Sequence, residues 1–264
     1  MQELYIIKIG GNILDNTDRL RRFLIDFAAL PGLKMLIHGG GKIASAIGQR
    51  LGIAPQMVDG RRITDAATLD LVTMVYGGLI NKQVVAQLQA LGCNALGLTG
   101  ADGNLILARK RPAGKIDYGF AGDVAGPESI NAGALSALLT QGFIPVFAPL
   151  THDGNGSMLN TNADTIASVL ATALATMCRV KLIYCFEKKG VLQNADDETS
   201  VINEIDEARY KEMKDAGIIT QGMIPKLDNA FAALKQGVSA VQIGDADDII
   251  NMVDGCAAGS LLTL

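Results

Sequence analysis

The sequence predicts an α/β protein: strand–helix units on a mainly parallel central sheet, with a small β-hairpin inserted. Three observations carry this expectation. Short apolar, β-branched runs alternate with stretches of helical period along the whole chain. Two of these runs end directly in glycines that lead into helices, at Gly10–Gly11 and Gly39–Gly41. The composition is globular, 49% hydrophobic and 19% charged over 264 residues. Glycine is raised to 30 residues, against an average usage near ~7%, so the fold needs bare backbone at many places.

In order, Leu4–Ile9 reads as a strand, and its unbroken apolar run is that of a strand covered on both faces. A helix from Thr17 to Leu30 follows, stopped by Pro31–Gly32. Lys34–His38 is the second strand and runs into Gly39–Gly41 and a helix to Leu51. A long helix covers Asp65 to Leu91, and Ala95–Thr99 is a strand. Leu105–Ala108 and Lys115–Tyr118 alternate around Pro112–Gly114 and predict the hairpin. Asn131–Gln141 is helical and Phe143–Ala148 a strand. The second half continues with helix Thr161–Met177, strand Val180–Phe186, helices Ile205–Ala216 and Ile224–Gln236, and strand Ala240–Ile243. The tail Ser260–Leu264 is placed to close the sheet. No Pro/Ser-rich linker interrupts the chain. Residues 1–264 therefore read as a single domain, with lobes of about 1–177 and 178–264 on one continuous sheet.

With 23 Lys+Arg against 27 Asp+Glu, the net charge is −4. A sequence-independent nucleic-acid binder would carry a basic footprint, so no nucleic-acid partner is expected. Anionic ligands must be caught by local cations. The longest uncharged apolar stretch, Thr165–Cys178, is shorter than the ~20 residues a bilayer span needs and reads as a buried helix, with no membrane partner. Lys8 interrupts the first apolar run, so no signal peptide is read. Cys93, Cys178, Cys185 and Cys256 form no CxxC pair and the chain has 2 histidines. Neither a zinc site nor a disulfide framework is expected, no metal ligands are assigned, and the expected compartment is the cytoplasm.

Five places carry more than simple structural chemistry. Lys8 interrupts a buried strand, and two readings stand: an edge lysine reaching solvent, or a cation at the carboxyl end of a strand, where ligands of open α/β sheets bind. His38-Gly39-Gly40-Gly41-Lys42 offers a nest of N–H donors at a helix N-terminus, suited to a carboxylate or phosphate. Gly39-x-Gly41-x-x-Ala44, with Asp59 downstream, also fits a dinucleotide fingerprint. That fingerprint usually follows the first strand, where this chain has Lys8-x-Gly10-Gly11 instead. In Asn160-Thr161-Asn162-Ala163-Asp164, Thr161 as N-cap with Asp164 would make an acidic capping box, but Asn160 is left unexplained by helix energetics. In Gly222-Met223-Ile224-Pro225-Lys226, a lysine sits where the helix dipole disfavours it. Arg62, in Gly60-Arg61-Arg62-Ile63-Thr64, is either a surface arginine or a bidentate carboxylate ligand.

Taken in order, Lys8-x-Gly10-Gly11, His38-Gly39-Gly40-Gly41, Gly60-x-Arg62-x-Thr64, Asn160-x-Asn162-Ala163-Asp164 and Gly222-Met223-Ile224-Pro225-Lys226 resemble the amino acid kinase family over essentially the whole chain. The resemblance implies a three-layer α/β/α sandwich, the first lobe binding an acylated amino acid and the second ATP. The last three segments resemble the branch that phosphorylates the γ-carboxylate of N-acetyl-L-glutamate for arginine synthesis. N-succinylglutamate or N-acetylaminoadipate are alternative acceptors, and a non-catalytic sensor of the same fold is a further one.

Carried over to this chain, the resemblance makes Lys8 and Lys226 stabilisers of the transferring phosphoryl group, with Asp164 holding both. Gly40, Gly41, Arg62 and Asn160 would bind the acyl amino acid. Gly10, Gly11, Glu187, Gly190, Leu192 and Thr220 would bind the nucleotide, with Mg2+ held by its phosphates. The chain departs from the family at Glu187-Lys188-Lys189-Gly190-Val191-Leu192, where Asp-Val and a small polar residue usually precede the glycine. It starts directly at the first strand, without the helix that accompanies arginine-inhibited hexamers, so a homodimer insensitive to arginine is expected.

Overall fold

The structure, a computed structural model, describes residues 1–58, 60–194, 196–219, 223–254 and 258–264. Strand β1 (Glu3–Ile9) leads through a single turn, α1 (Gly11–Leu14), and α2 (Thr17–Ala29) to β2 (Leu33–His38) and α3 (Gly41–Arg50). The short pair β3 (Met57–Val58) and β4 (Arg61–Arg62) precedes one long helical run: α4 (Ala66–Val72), a π-helical stretch over Thr73–Ile80, and α5 (Asn81–Ala90). Then come β5 (Ala95–Leu98), β6 (Arg109–Lys110), β7 (Ala121–Asp123), α6 (Ala132–Thr140), β8 (Ile144–Phe147), β9 (Leu150–His152) and β10 (Met158–Thr161). The last part holds α7 (Ala163–Leu174), β11 (Arg179–Phe186), β12 (Glu204–Ile205), α8 (Glu207–Asp215), α9 (Ile224–Lys235), β13 (Ala240–Asp245), α10 (Ile249–Val253) and β14 (Ser260–Leu262).

Among the described residues, the main sheet runs β12-β14-β13-β11-β1-β2-β8-β5. Neighbours are parallel except β13 and β14; the tail strand β14 joins the sheet but does not close it, because β12 pairs outside it and forms the edge. Strand β1 sits between β11 and β2 and is buried on both faces, which is why its apolar run is continuous. Strand alternation then sorts its side chains. Leu4 and Ile6 join a core with α6, α7, α8 and α9. Tyr5, Ile7 and Ile9 join a second core with α2, α4, α5 and α10 on the opposite face. These are the two helical layers of the sandwich. Lys8 shares the parity of Leu4 and Ile6, so it lies on the α7 side.

Lysine burial here has two solutions. Lys34 Nζ donates to the Ala28 and Leu30 carbonyls, at 2.8 and 2.7 Å, at the end of α2, where the helix leaves carbonyls unpaired and favours a cation. The same ammonium lies 5.4 Å from the Phe27 ring centroid. Burial pushes its pKa down. Lys8 is satisfied by a carboxylate instead, described below.

Three further expectations are corrected. Residues 105–108 and 115–118 do not pair. Leu105 and Ile106 are drawn into the core, Ile106 bridging to Ile130, which leaves no free strand for a hairpin at that place. The pairing slides outward: β6 runs antiparallel to β7, and β7 joins β10 and β9 in a small second sheet. The cap of α7 is Asn162, whose Oδ1 accepts from the N–H groups of Asp164 and Thr165 at 2.7 and 3.1 Å. Thr161 is held in β10 opposite Gly122 and shares a 2.7 Å hydrogen bond with Thr151, so it is not the cap. The helix expected from Ile205 begins at Glu207, with Asp206 as cap and Ile205 in β12.

Candidate active site

The carboxyl ends of β1 and β11 and the N-terminus of α7 meet at one point. Because Lys8 faces α7 and Asp164 sits in its first turn, Lys8 Nζ reaches Asp164 Oδ1 at 2.7 Å, with both side chains largely buried. The edge-lysine reading of Lys8 is thereby set aside. In register with Lys8 across the sheet is Tyr184, whose hydroxyl donates to the Asp164 carbonyl at 3.3 Å. Two residues on, Phe186 points to the same face and stacks on Tyr184, centroids 6.3 Å apart and planes 13° from parallel. Lys226, in the first turn of α9, places Nζ 3.6 Å from the centre of the Phe186 ring, and Lys8 Nζ lies 5.2 Å from it. Asp164 was expected to hold both lysines. It pairs with Lys8, while Lys226 rests on an aromatic face. Burial lowers the Lys226 pKa, Asp164 and Glu187 oppose that, and the charge of Lys8 adds to it.

On one side of this group lies a cavity of about 260 Å³, lined by Gly39, Gly40, Gly41, Arg62, Tyr76, Asn160 and the residues flanking Asp164 among others. The four predicted acceptor residues are thus brought together. Arg62 is buried and donates to the Gly41 carbonyl at 2.9 Å and to Ser45 Oγ at 2.8 Å, which fixes its guanidinium at the cavity wall. Asn160 Nδ2 donates to Thr64 Oγ1 at 3.0 Å. That bond gives the motif threonine its place. Thr64 in turn holds the loop before β7 through Phe120 N at 2.7 Å. Arg61 and Arg111 also border the cavity, and Arg111 is paired with Asp123.

On the other side a second cavity, about 230 Å³, is lined by Phe186, Glu187, Lys188, Gly190, Leu192 and Lys226 together with Val191, Ile218, Ile219, Met223 and Ile243. Three predicted nucleotide residues, Glu187, Gly190 and Leu192, stand here. Thr220, Gln221 and Gly222 lie outside the described residues, as do Asp59 and Cys256. Gly10 caps α1 and a Cβ placed on it would stand 4.0 Å from Phe186 Cδ1, so Gly10 and Gly11 sit at the junction of the cavities and line neither. Asn12, beside them, donates to Glu187 and accepts from Lys42. Of the two lysines that depart from the family pattern, Lys188 borders the cavity and pairs with Glu198 at 2.9 Å, while Lys189 lines a separate recess.

His38 shapes the glycine turn from below. It is fully buried, Nδ1 donating to the Gly39 carbonyl at 2.8 Å and Nε2 accepting from Asn81 at 3.2 Å. Burial pushes its pKa from 6.5 down to about 4. Between those values the unfolded chain binds a proton that the native state does not, so stability rises with pH there. The contribution is complete above 6.5 and is lost as pH falls through 4. The expected size is about 3 kcal/mol. Urea unfolding between pH 4 and 7 should show this slope in the wild-type chain and a flatter one in His38→Gln; equal slopes would remove the histidine from the account.

A family model for the amino acid kinase family matches residues 3–245. The chain belongs to the amino acid kinase family. Its relatives include a protein of Cytophaga hutchinsonii named acetylglutamate kinase, 58% identical over 255 residues and covering 96% of each chain. Another of that name, from Phocaeicola vulgatus, is 57% identical over 242 residues, covering 92% of this chain and 93% of its own. Among solved structures, smu.665 from Streptococcus mutans superposes with a TM-score of 0.76 at 28% identity, covering 98% of both chains. Two residues of this family member's site escape its motifs. Phe186 is the end of an alternating run that shares Lys8's face, a signal readable only once β11 is known to lie beside β1. Tyr76 reaches the cavity beside Arg62 from the π-helical stretch, where the ordinary helical period no longer tells which face a residue takes.

Proposed function

We propose that the chain transfers the γ-phosphoryl group of ATP to the γ-carboxylate of N-acetyl-L-glutamate, giving N-acetyl-L-glutamyl 5-phosphate in arginine biosynthesis. The observation that carries this reading is the placing of the Lys8–Asp164 pair and Lys226 between two cavities. One has an arginine, an asparagine and a glycine nest suited to an acylated amino acid. The other has an apolar wall and a lysine suited to a nucleotide. The acceptor cavity is built from residues up to Thr165 and the other from Phe186 onward, which supports the division into lobes of about 1–177 and 178–264.

A carboxylate nucleophile is ionised at neutral pH, so no general base is needed. Catalysis then consists of aligning the acceptor with the γ-phosphorus and neutralising charge that spreads over the phosphoryl oxygens. Arg62, Asn160 and the N–H groups of Gly40 and Gly41 hold the acceptor. Lys8 and Lys226 face the phosphoryl group, and the glycines at 10 and 11 let backbone approach the phosphates. Mg2+ bound to the nucleotide would offset part of the charge of its phosphates. Asp164 is engaged by Lys8, and Mg2+ would be held by the phosphates of the nucleotide.

A second acceptor, N-succinylglutamate, is favoured by Arg61 and Arg111 at the cavity wall, although Asp123 already occupies Arg111. Coupled ADP release with MgATP over N-acetyl-, N-succinyl- and free glutamate and N-acetylaminoadipate decides among them. Turnover is expected to be highest with N-acetyl-L-glutamate, and no ADP release with any acceptor would overturn the reading. The protein is further read as a cytoplasmic homodimer. Among the described residues no helix is long and apolar enough to cross a membrane, and Met74 and Leu79 expose apolar surface on the long helix that a second copy would cover.

A further inference from the structure

Phosphoryl transfer between the cavities requires positive charge that is not already cancelled. Lys8 is matched by Asp164 at 2.7 Å. Lys226 is half-buried, burial lowers its pKa, and the like charge of Lys8 adds to that. Among the described residues no carboxylate oxygen comes within 4.0 Å of its Nζ. The group that does meet it is the face of Phe186, at 3.6 Å from the ring centre. That ring is itself held: Tyr184 stacks on it and the Gly10 backbone borders it.

We propose that Phe186 is the positioning residue of Lys226, its ring standing where a second carboxylate would otherwise be needed. A carboxylate there would neutralise the lysine it held. The negative face of an aromatic ring attracts an ammonium without cancelling its charge. With Lys8 and Asp164 summing to zero, Lys226 on Phe186 leaves one net positive charge aimed at the phosphoryl group. The arrangement also keeps the two ammonium groups on one ring at fixed places before any nucleotide arrives, so less ordering is left to the reaction.

The proposal rests on the phosphoryl-transfer reading above, and its test separates the two. Phenylalanine at 186 is replaced by its mono-, di- and trifluorinated forms, which keep shape while draining the ring face of negative charge. The expected result is a stepwise fall in kcat reaching about tenfold or more in the trifluoro protein, with the acceptor KM unchanged. Phe186→Leu should fall at least as far, and Phe186→Tyr should stay near wild type. A second readout needs no turnover: acetylation of Lys226 by acetic anhydride, followed by mass spectrometry, should speed up along the same series as the free amine becomes more populated. A flat series in both readouts overturns the proposal. So does a change confined to the KM for ATP, which would make the ring a cavity wall only. If the wild-type protein phosphorylates no acceptor, the reading above fails and the Lys226 reactivity still decides this one.

Discussion

Replacing Lys8 by methionine is expected to lower kcat by about 10³-fold, the scale of losing one preorganised charge at a reacting centre. Methionine keeps the apolar stem in the β1 core, so the packing of Leu4 and Ile6 against α7 survives. What is lost is the partner of Asp164, whose side chain is 16% exposed. Breaking a buried pair by removing one member costs about 3–5 kcal/mol, and some water access at Asp164 brings the expected loss to the lower end. The double variant Lys8→Met with Asp164→Asn removes the orphaned charge as well. It should recover most of the stability and none of the rate. Denaturant midpoints and steady-state kinetics on the two variants check this together. Recovery of activity in the double variant would mean that Lys8 serves the fold and not the phosphoryl group.

That coupling explains what the sequence could show and what it could not. Lys8 and Lys226 stand out because each defies a local rule: a lysine in a buried strand, and a lysine at the positive end of a helix; Asp164 obeys one, as an acid in a helix first turn, and stands out only with its motif. Functional sites are where such rules are broken. Arg62 and Asn160 are convincing only as members of an ordered set, and the structure adds why Thr64 belongs with them: it receives Asn160 and anchors Phe120. Phe186 breaks no rule. An aromatic residue ending an apolar strand is ordinary, and its meaning depends on the register that sets Lys8 opposite Tyr184.

The corrected elements share a cause. Thr161 and Asn162 are both good N-caps, and the choice fell to Asn162 because β10 needs Thr161 for pairing. Leu105 and Ile106 have the alternation of a hairpin strand, yet the core between α6 and the main sheet claims them. Local pattern is silent in each case on which neighbour will compete for the residue. The long helix was visible from end to end, but its π-helical stretch was not. That stretch determines which side chains, Tyr76 and Ile80, arrive beneath the glycine nest.

The second large effect is expected at that contact. Gly40 opens α3 with φ +146° and ψ 8°, a conformation L side chains rarely adopt. A Cβ there would stand 2.5 Å from Ile80 Cδ1 and 3.1 Å from Tyr76 Cδ1. The Ile80 methyl is the end of a movable side chain and can turn aside for about 0.5–1.5 kcal/mol. The buried Tyr76 ring has less room, and the backbone angle cannot be relieved by any neighbour, adding about 1–3 kcal/mol. Gly40→Ala should therefore cost about 2–4 kcal/mol of stability and displace the N–H groups at Gly40 and Gly41, raising the acceptor KM about tenfold or more. Adding Ile80→Val should return only the smaller, steric share, because the dihedral remains. ATP binding, which the proposed function assigns to the cavity around Lys226, should change little. Gly133 supplies the contrast: it is exposed in α6, a Cβ there meets only Asn131 Oδ1 at an ordinary 3.9 Å, and Gly133→Ala should be neutral or stabilising by about 0.5–1 kcal/mol. Equal losses at the two glycines would show that the nest tolerates side chains and that Gly40 is there for flexibility alone.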